Sequence, residues 1–345
     1  MHRRNDWHCR NLLVRSGCFA LLLSPLLALG AQTPQPTNPQ TPPVEKKGKE
    51  YTISVDVNEV VLHATVLDKK GHIVNDLKQD DFHVFEDGAP QPLTHFAHAD
   101  VPVTMGIVID DSGSMRTKRE AVNAAALIFA KTSNPQDQVF VVNFNDVYYL
   151  DTPGDFANTI EDLKSALDKI DSRGGTALRD AVIASLDHLK LGNRDKKVLL
   201  VITDGEDNAS RYTFQELMDK AQKSNAVVYT VGLLGSDETS DLFRIRGGEA
   251  HRAAKVLKDL AEATGGEPYF PKSLDEVEST CRQIARDIRN QYTLVYRPSN
   301  LKKDGTFRNI RVDAFLPHSK NKLVVRTRPG YFAPKPTGPA AVASN

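Results

Sequence analysis

The chain has 345 residues, room for one large domain or two smaller ones, and its 40% hydrophobic content suffices for a packed core. Its 44 basic residues balance 44 acidic ones, so no chain-wide basic field marks nucleic acid or an anionic membrane surface as a partner.

Residues 1–31 read as a secretory signal. Arg3, Arg4, Arg10 and Arg15 precede the apolar run Phe19 to Leu29, and the small residues Ala28, Gly30 and Ala31 mark a cleavage site near Gly30 or Ala31. The run is too short for a comfortable bilayer span, so no integral span is expected once it is removed, and the chain is expected to be secreted or periplasmic. Cys9 and Cys18 leave with the signal, and Cys281 alone cannot form an internal disulfide. Cys281 also falls on the apolar stripe Val277, Cys281, Ile284, Ile288, which places it in a core.

Residues 32–50 are rich in Pro, Thr and Gln and too poor in large apolar side chains to offset their ordering entropy, which predicts a disordered linker. Residues 51–98 alternate like strands: Ile53, Val55 and Val57, then Val61, His63, Thr65 and Leu67, then Phe82 to Phe85, with turns at Asp68–Gly71 and Glu86–Gly88. About four strands are few for an independent sandwich. The same texture returns at Tyr292–Tyr296, Ile310–Phe315 and Leu323–Arg326. The expectation is one β-sandwich assembled from 51–98 and 292–332, with the middle of the chain inserted into it and a disordered tail over 333–345.

The middle, residues 99–291, alternates strand and helix. Met105–Ile109, Val139–Phe144, Val198–Ile202 and Ala226–Val231 are the apolar runs. Between them, Phe156, Ile160, Leu163, Leu167 and Ile170 share one helical face, as do Leu178, Val182, Leu186 and Leu189. Thr213 to Glu216 and Ser273 to Glu276 have capping-box spacing, and Gly265-Gly266 stops a helix. The pattern predicts an α/β fold: a doubly wound, mostly parallel sheet with helices on both faces. The polar stretch Gly235 to Glu249 is expected to be an exposed insertion.

Directly after the first of these strands comes Asp110-Asp111-Ser112-Gly113-Ser114; Thr176 and Asp204 follow far downstream. If the strands ending at Asp110 and Asp204 are neighbours where strand order reverses, both carboxylates face one crevice, with Thr176 on a loop beside them. Every donor is a hard oxygen and no His or Cys joins them. That set favours Mg²⁺, or Mn²⁺, with Ca²⁺ behind them, over zinc. Neutral hydroxyl ligands leave the ion much of its charge, and an open position suits a carboxylate from a partner protein.

The arrangement Asp110-x-Ser112-x-Ser114, Thr176, Asp204-Gly205 resembles the metal-ion-dependent adhesion site of von Willebrand factor A domains, over about residues 100–291. The flanks resemble a bacterial family of secreted, von Willebrand factor A-related proteins. That likeness is carried by Asp81-Phe82-x-Val84-x-Glu86-Asp87-Gly88, by Leu260 to Gly266 and by Gln291-Tyr292-Thr293-Leu294-x-Tyr296. The resemblance implies a non-enzymatic binding module, with metal at the top of the sheet completed by a ligand Asp or Glu carboxylate. In some relatives the C-terminal helix, here Ser273 to Asn290, shifts with affinity.

Other readings stand beside this one. Asp110, Ser112 and Ser114 could form an ordinary capped helix start. Glu206 and Asp207 read as parts of a solvated acidic turn, and Asp111 as an exposed or supporting acid, rather than as ligands. A serine nucleophile lacks a G-x-S-x-G elbow and a nearby His; His188 and His251 lie in helix-like stretches with surface roles. Nucleotide binding lacks G-x-G-x-x-G, and metal-assisted hydrolysis lacks a free general base. The site could also be vestigial in a metal-independent envelope scaffold. Because like-charged oxygens crowd an empty site, Asp110→Ala or Asp204→Ala is expected to abolish metal binding with little loss of fold.

Overall fold

The computed structural model describes residues 59–132, 134–234, 243–317 and 321–335. The signal, the linker, the strand expected around Ile53 to Val57, residues 235–242 and the tail from 336 lie outside the described residues.

Four strands come first: β1 (Val60–Leu67), β2 (Phe82–Glu86), β3 (Ala89–Gln91) and β4 (Leu93–Ala97). Next come β5 (Val103–Asp110), α1 (Arg119–Lys131), β6 (Gln138–Phe144), β7 (Tyr148–Leu150), α2 (Ile160–Leu167) and α3 (Leu178–His188). The middle closes with β8 (Lys196–Thr203), α4 (Phe214–Lys223), β9 (Ala226–Gly232), α5 (Phe243–Thr264), β10 (Pro268–Tyr269) and α6 (Asp275–Arg289). The last strands are β11 (Tyr292–Tyr296), β12 (Phe307–Ala314), β13 (Val324–Arg326) and β14 (Gly330–Phe332).

The central sheet runs β10-β9-β8-β5-β6-β7, parallel except for β7, which pairs antiparallel with β6. β5 is buried at every position because helices cover both its faces. Met105, Ile107 and Ile109 pack with Val122 of α1, Leu163 of α2 and Ile284 of α6, while Val108 packs with Val182 of α3, Leu217 of α4 and Leu257 of α5. The chain leaves β5 toward β6 on one side and reaches β8 on the other. Strand order therefore reverses between β5 and β8, and their carboxyl ends open a crevice.

The flanks form two four-stranded antiparallel sheets, β13-β1-β11-β4 and β14-β12-β2-β3. Each takes strands from both ends of the chain, with β1 against β11 and β2 against β12. Leu62, Val84, Leu294 and Val312 belong to one cluster, so the two sheets share a core. The face of β1 turned into that core carries Val60, Leu62, Ala64 and Val66; of the alternating set Val61, His63, Thr65 and Leu67, Thr65 alone is buried. Both sets contain apolar side chains, so the period of two identifies the strand but not its buried face.

Helix limits also depart from the periodicity. α2 ends at Leu167, and Ile160 and Ile170 stay 37% and 46% exposed, because Thr159 and Asp162 box the start of a shorter helix. The box at Thr213 and Glu216 forms as the spacing predicts, with Thr213 Oγ1 accepting from Glu216 N. At α6 no box forms. Leu274 is the N-cap, and the Glu276 carboxylate accepts from Lys272 N instead. Residues 243–249, expected in an exposed insertion, begin α5, which stops where Gly265 takes a φ of +82°. Cys281 is fully buried on the α6 stripe, and burial pushes its thiol up to about 12, leaving it inert. Among the described residues no helix is long and apolar enough to cross a membrane.

Candidate functional site

β5 delivers Asp110 to the carboxyl end of the sheet, where it is fully buried. Its Oδ1 accepts from Ser112 N at 2.8 Å and its Oδ2 from Thr203 Oγ1 at 2.5 Å, which ties the end of β5 to the end of β8. Burial raises the Asp110 carboxyl to about 6, against the pull of the Thr203 and Ser112 hydrogen bonds, and the nearby Asp204 charge raises it further. A short 3₁₀ turn, Gly113–Met115, follows. It brings Ser112 Oγ to 3.1 Å from Ser114 Oγ, and Ser114 Oγ donates to Asp204 Oδ1 at 2.7 Å. Asp110, Ser112, Ser114 and Asp204 thus lie on one connected set of polar contacts.

Thr176 reaches the same place by another route. Its N–H donates to Asn208 Oδ1 at 2.8 Å, and its carbonyl accepts from Asn208 N and Ala209 N. A Cβ on Gly205 would stand 3.8 Å from Thr176 Oγ1, so that hydroxyl flanks the turn after Asp204. All five residues singled out in the sequence are gathered at the β5/β8 crevice.

The loop carrying Thr176 is held by Asp146, just beyond β6, whose Oδ1 accepts from Gly175 N at 2.8 Å. Gly174 has a φ of +76°, and a Cβ there would come within 2.1 Å of Asp146 Oδ2. Gly174→Ala should therefore lose roughly 1–3 kcal/mol of stability, read as a shift in the urea midpoint, because strained backbone and a displaced carboxylate add. An unchanged midpoint would show that the loop moves without penalty.

The neighbouring acids are structural. Asp111 is not exposed: its carboxylate accepts from Asp171 N and Ser172 Oγ, and Arg119 Nε lies 3.5 Å away. Arg119, also buried, donates to Asp110 O, Asn143 Oδ1 and Leu167 O, bracing β5 against β6 and α2. Asp207, expected in a solvated turn, instead accepts from Arg179 N at the start of α3 and from the Ser210 hydroxyl. Glu206 pairs with Arg252 near the surface. His188 is half-buried, its ring 4.5 Å from that of Phe140 and its Nε2 on Asp155 O.

One side chain of this cluster was missed from the sequence. Lys118 Nζ donates to Asp204 Oδ2 at 2.7 Å, with side-chain exposures of 9% and 1% for the pair. The available signal was a lysine four residues after Ser114, at the entry to α1, where a surface role is the ordinary reading. The donor set otherwise fits a hard divalent cation: two serine hydroxyls, one threonine hydroxyl and two carboxylates. Among the described residues no group of three or more His, Cys, Asp or Glu could hold a metal, so any ion here depends on the hydroxyls.

A doubly wound sheet with helices of the described residues packed on both faces, and a crevice at its switch point, is a fold of the Rossmann-like class. Residues 105–266 match the family model of the von Willebrand factor type A domain, and this part of the chain is such a domain. An uncharacterized protein of Borreliella burgdorferi is 28% identical over 104 residues, covering 28% of this chain and 30% of its own length. The chain thus spans about a third of the curated relative it matches. Among solved structures, a von Willebrand factor type A protein from Catenulispora acidiphila is 14% identical, covering 80% of this chain and 72% of its own, with a TM-score of 0.46. Proximal thread matrix protein 1 from the mussel byssus, solved with a zinc-occupied MIDAS motif, is 16% identical over 59% of this chain and 49% of its own, with a TM-score of 0.43.

Proposed function

We propose that this chain is a secreted or periplasmic, non-enzymatic binding module whose Asp110, Ser112, Ser114, Thr176 and Asp204 hold Mg²⁺ or Mn²⁺ for a protein ligand. The observation that carries the reading is the convergence of these five oxygen-bearing side chains at the carboxyl ends of β5 and β8 in a von Willebrand factor type A domain. When bound, the ion would supply an electrophilic position for an Asp or Glu side chain of the ligand. Asp110 and Asp204 provide the charge, and the hydroxyls fix geometry without neutralising it. Thr203 and Asn208 hold the Asp110 carboxylate and the Thr176 backbone in place. Among the described residues, Asp111, Asp207 and Glu206 beside the cluster are each engaged in a hydrogen bond or ion pair, which supports a binding role over hydrolysis.

The test is capture of partners from the source organism's envelope extract on the immobilised chain, in Mg²⁺, in EDTA, and with an Asp110→Ala bait. A protein retained only in Mg²⁺ and only by intact Asp110 is the expected result. Equal retention in all three conditions would replace this reading with a metal-independent scaffold, which one observation favours: Lys118 already compensates Asp204.

A further inference from the structure

Lys118 stands at the step from the 3₁₀ turn into α1, its N–H on Met115 O, and its side chain folds back into the crevice rather than out to water. Its ammonium occupies Asp204 Oδ2 while the Ser114 hydroxyl occupies Oδ1, so both oxygens of that carboxylate are engaged. The neighbouring cations are committed elsewhere. Arg119 is fixed on Asp110 O, Asn143 and Leu167, and Arg116 donates to Ser172 O. Among the described residues, Lys118 is thus the cation paired with the Asp204 carboxylate of this cluster.

We propose that Lys118 is a tethered competitor for the divalent ion: its ammonium holds Asp204 when the ion is scarce and must withdraw for the site to load. The inference rests on the metal-site reading above and adds its regulation. An ammonium and a divalent ion cannot share these ligands, because both need the Asp204 lone pairs and like charges a few ångströms apart in a nearly dry crevice repel strongly. The competition sets a threshold concentration below which the domain stays compensated, folded and closed to acidic ligands.

Calorimetric titration of the full chain with Mn²⁺ tests this, comparing the natural sequence with Lys118→Met and Asp110→Ala. Lys118→Met should bind about tenfold tighter or better, the scale on which 1.4 kcal/mol of competition is read, and Asp110→Ala should not bind. Equal affinity of Lys118→Met and the natural chain would overturn the competition while leaving the metal site standing. No binding by either would overturn both. A second measurement needs no variant: acetic anhydride labelling of Lys118, read by mass spectrometry against the exposed Lys69. Labelling should be low in EDTA and rise severalfold at a Mn²⁺ concentration that saturates the site; a flat response there would also overturn the proposal.

Discussion

Asp204→Ala should lower the stability of the metal-free protein by about 3 kcal/mol, because it strands the Lys118 ammonium in a crevice where only 9% of its side chain is exposed. The measurement is urea denaturation in EDTA, followed by the same measurement on the double variant Lys118→Met/Asp204→Ala. Removing both charges should restore most of the loss, since the destabilisation comes from the partner left behind rather than from the pair itself. Asp110→Ala is the informative contrast. Its carboxyl is already pushed up to about 6 by burial, so deleting it relieves a desolvated charge while freeing one hydroxyl and one N–H, for a loss of about 1 kcal/mol. Equal effects of the two single variants would mean that Lys118 finds water when Asp204 is gone. The pairing revises the expectation that both substitutions spare the fold, which assumed two carboxylates facing each other with no cation between them.

That revision marks how far the sequence could be read. The gathering of Asp110, Ser112, Ser114, Thr176 and Asp204 at one crevice was legible because each follows a strand or sits on a Gly-rich loop. The central sheet was legible for a related reason: a strand buried on both faces must be apolar throughout, and Met105 to Ile109 has no other economical fate. What failed were choices that depend on which group a side chain meets. Lys118 and Asp207 carry charge and stand in polar stretches, so solvent was the default; each is held by a partner distant in sequence, namely Asp204 and Arg179. Asp111, read as exposed or supporting, takes the supporting role beside Arg119 and Ser172. β1 shows the same limit without charge, since Val61 and Leu62 are equally apolar and only the pairing with β11 sets which one is buried. The edge strand β7 has only three residues, and its Tyr148 and Tyr149 stay partly exposed, so it carries no alternating apolar pattern.

Lys196 carries the other large expected effect, and it lies at the amino end of β8, away from the Asp110–Asp204 cluster. The side chain is buried, and Nζ donates to Ile288 O near the end of α6. Burial lowers its ammonium from 10.5 to about 7; Arg289 pushes the same way, and Asp100 and Asp137 oppose. Those two acids are themselves engaged by Arg289, so they compensate Lys196 only in part. The unfolded chain therefore holds a proton between pH 7 and 10.5 that the folded chain has released, and stability from this group rises with pH across that window. Below about 7 both states are charged, and the full cost of burying the ammonium remains. At about 1.36 kcal/mol per pH unit the window bounds the gain near 5 kcal/mol, and relaxation around the charge should bring it to about 3. Urea unfolding of the natural chain and of Lys196→Met, at pH 7 and pH 9.5, isolates the contribution as the difference between the two pH slopes. The natural chain should gain on the variant as pH rises. Parallel slopes would mean that the ammonium stays protonated on Ile288 O throughout, with the helix end and the two acids compensating it fully.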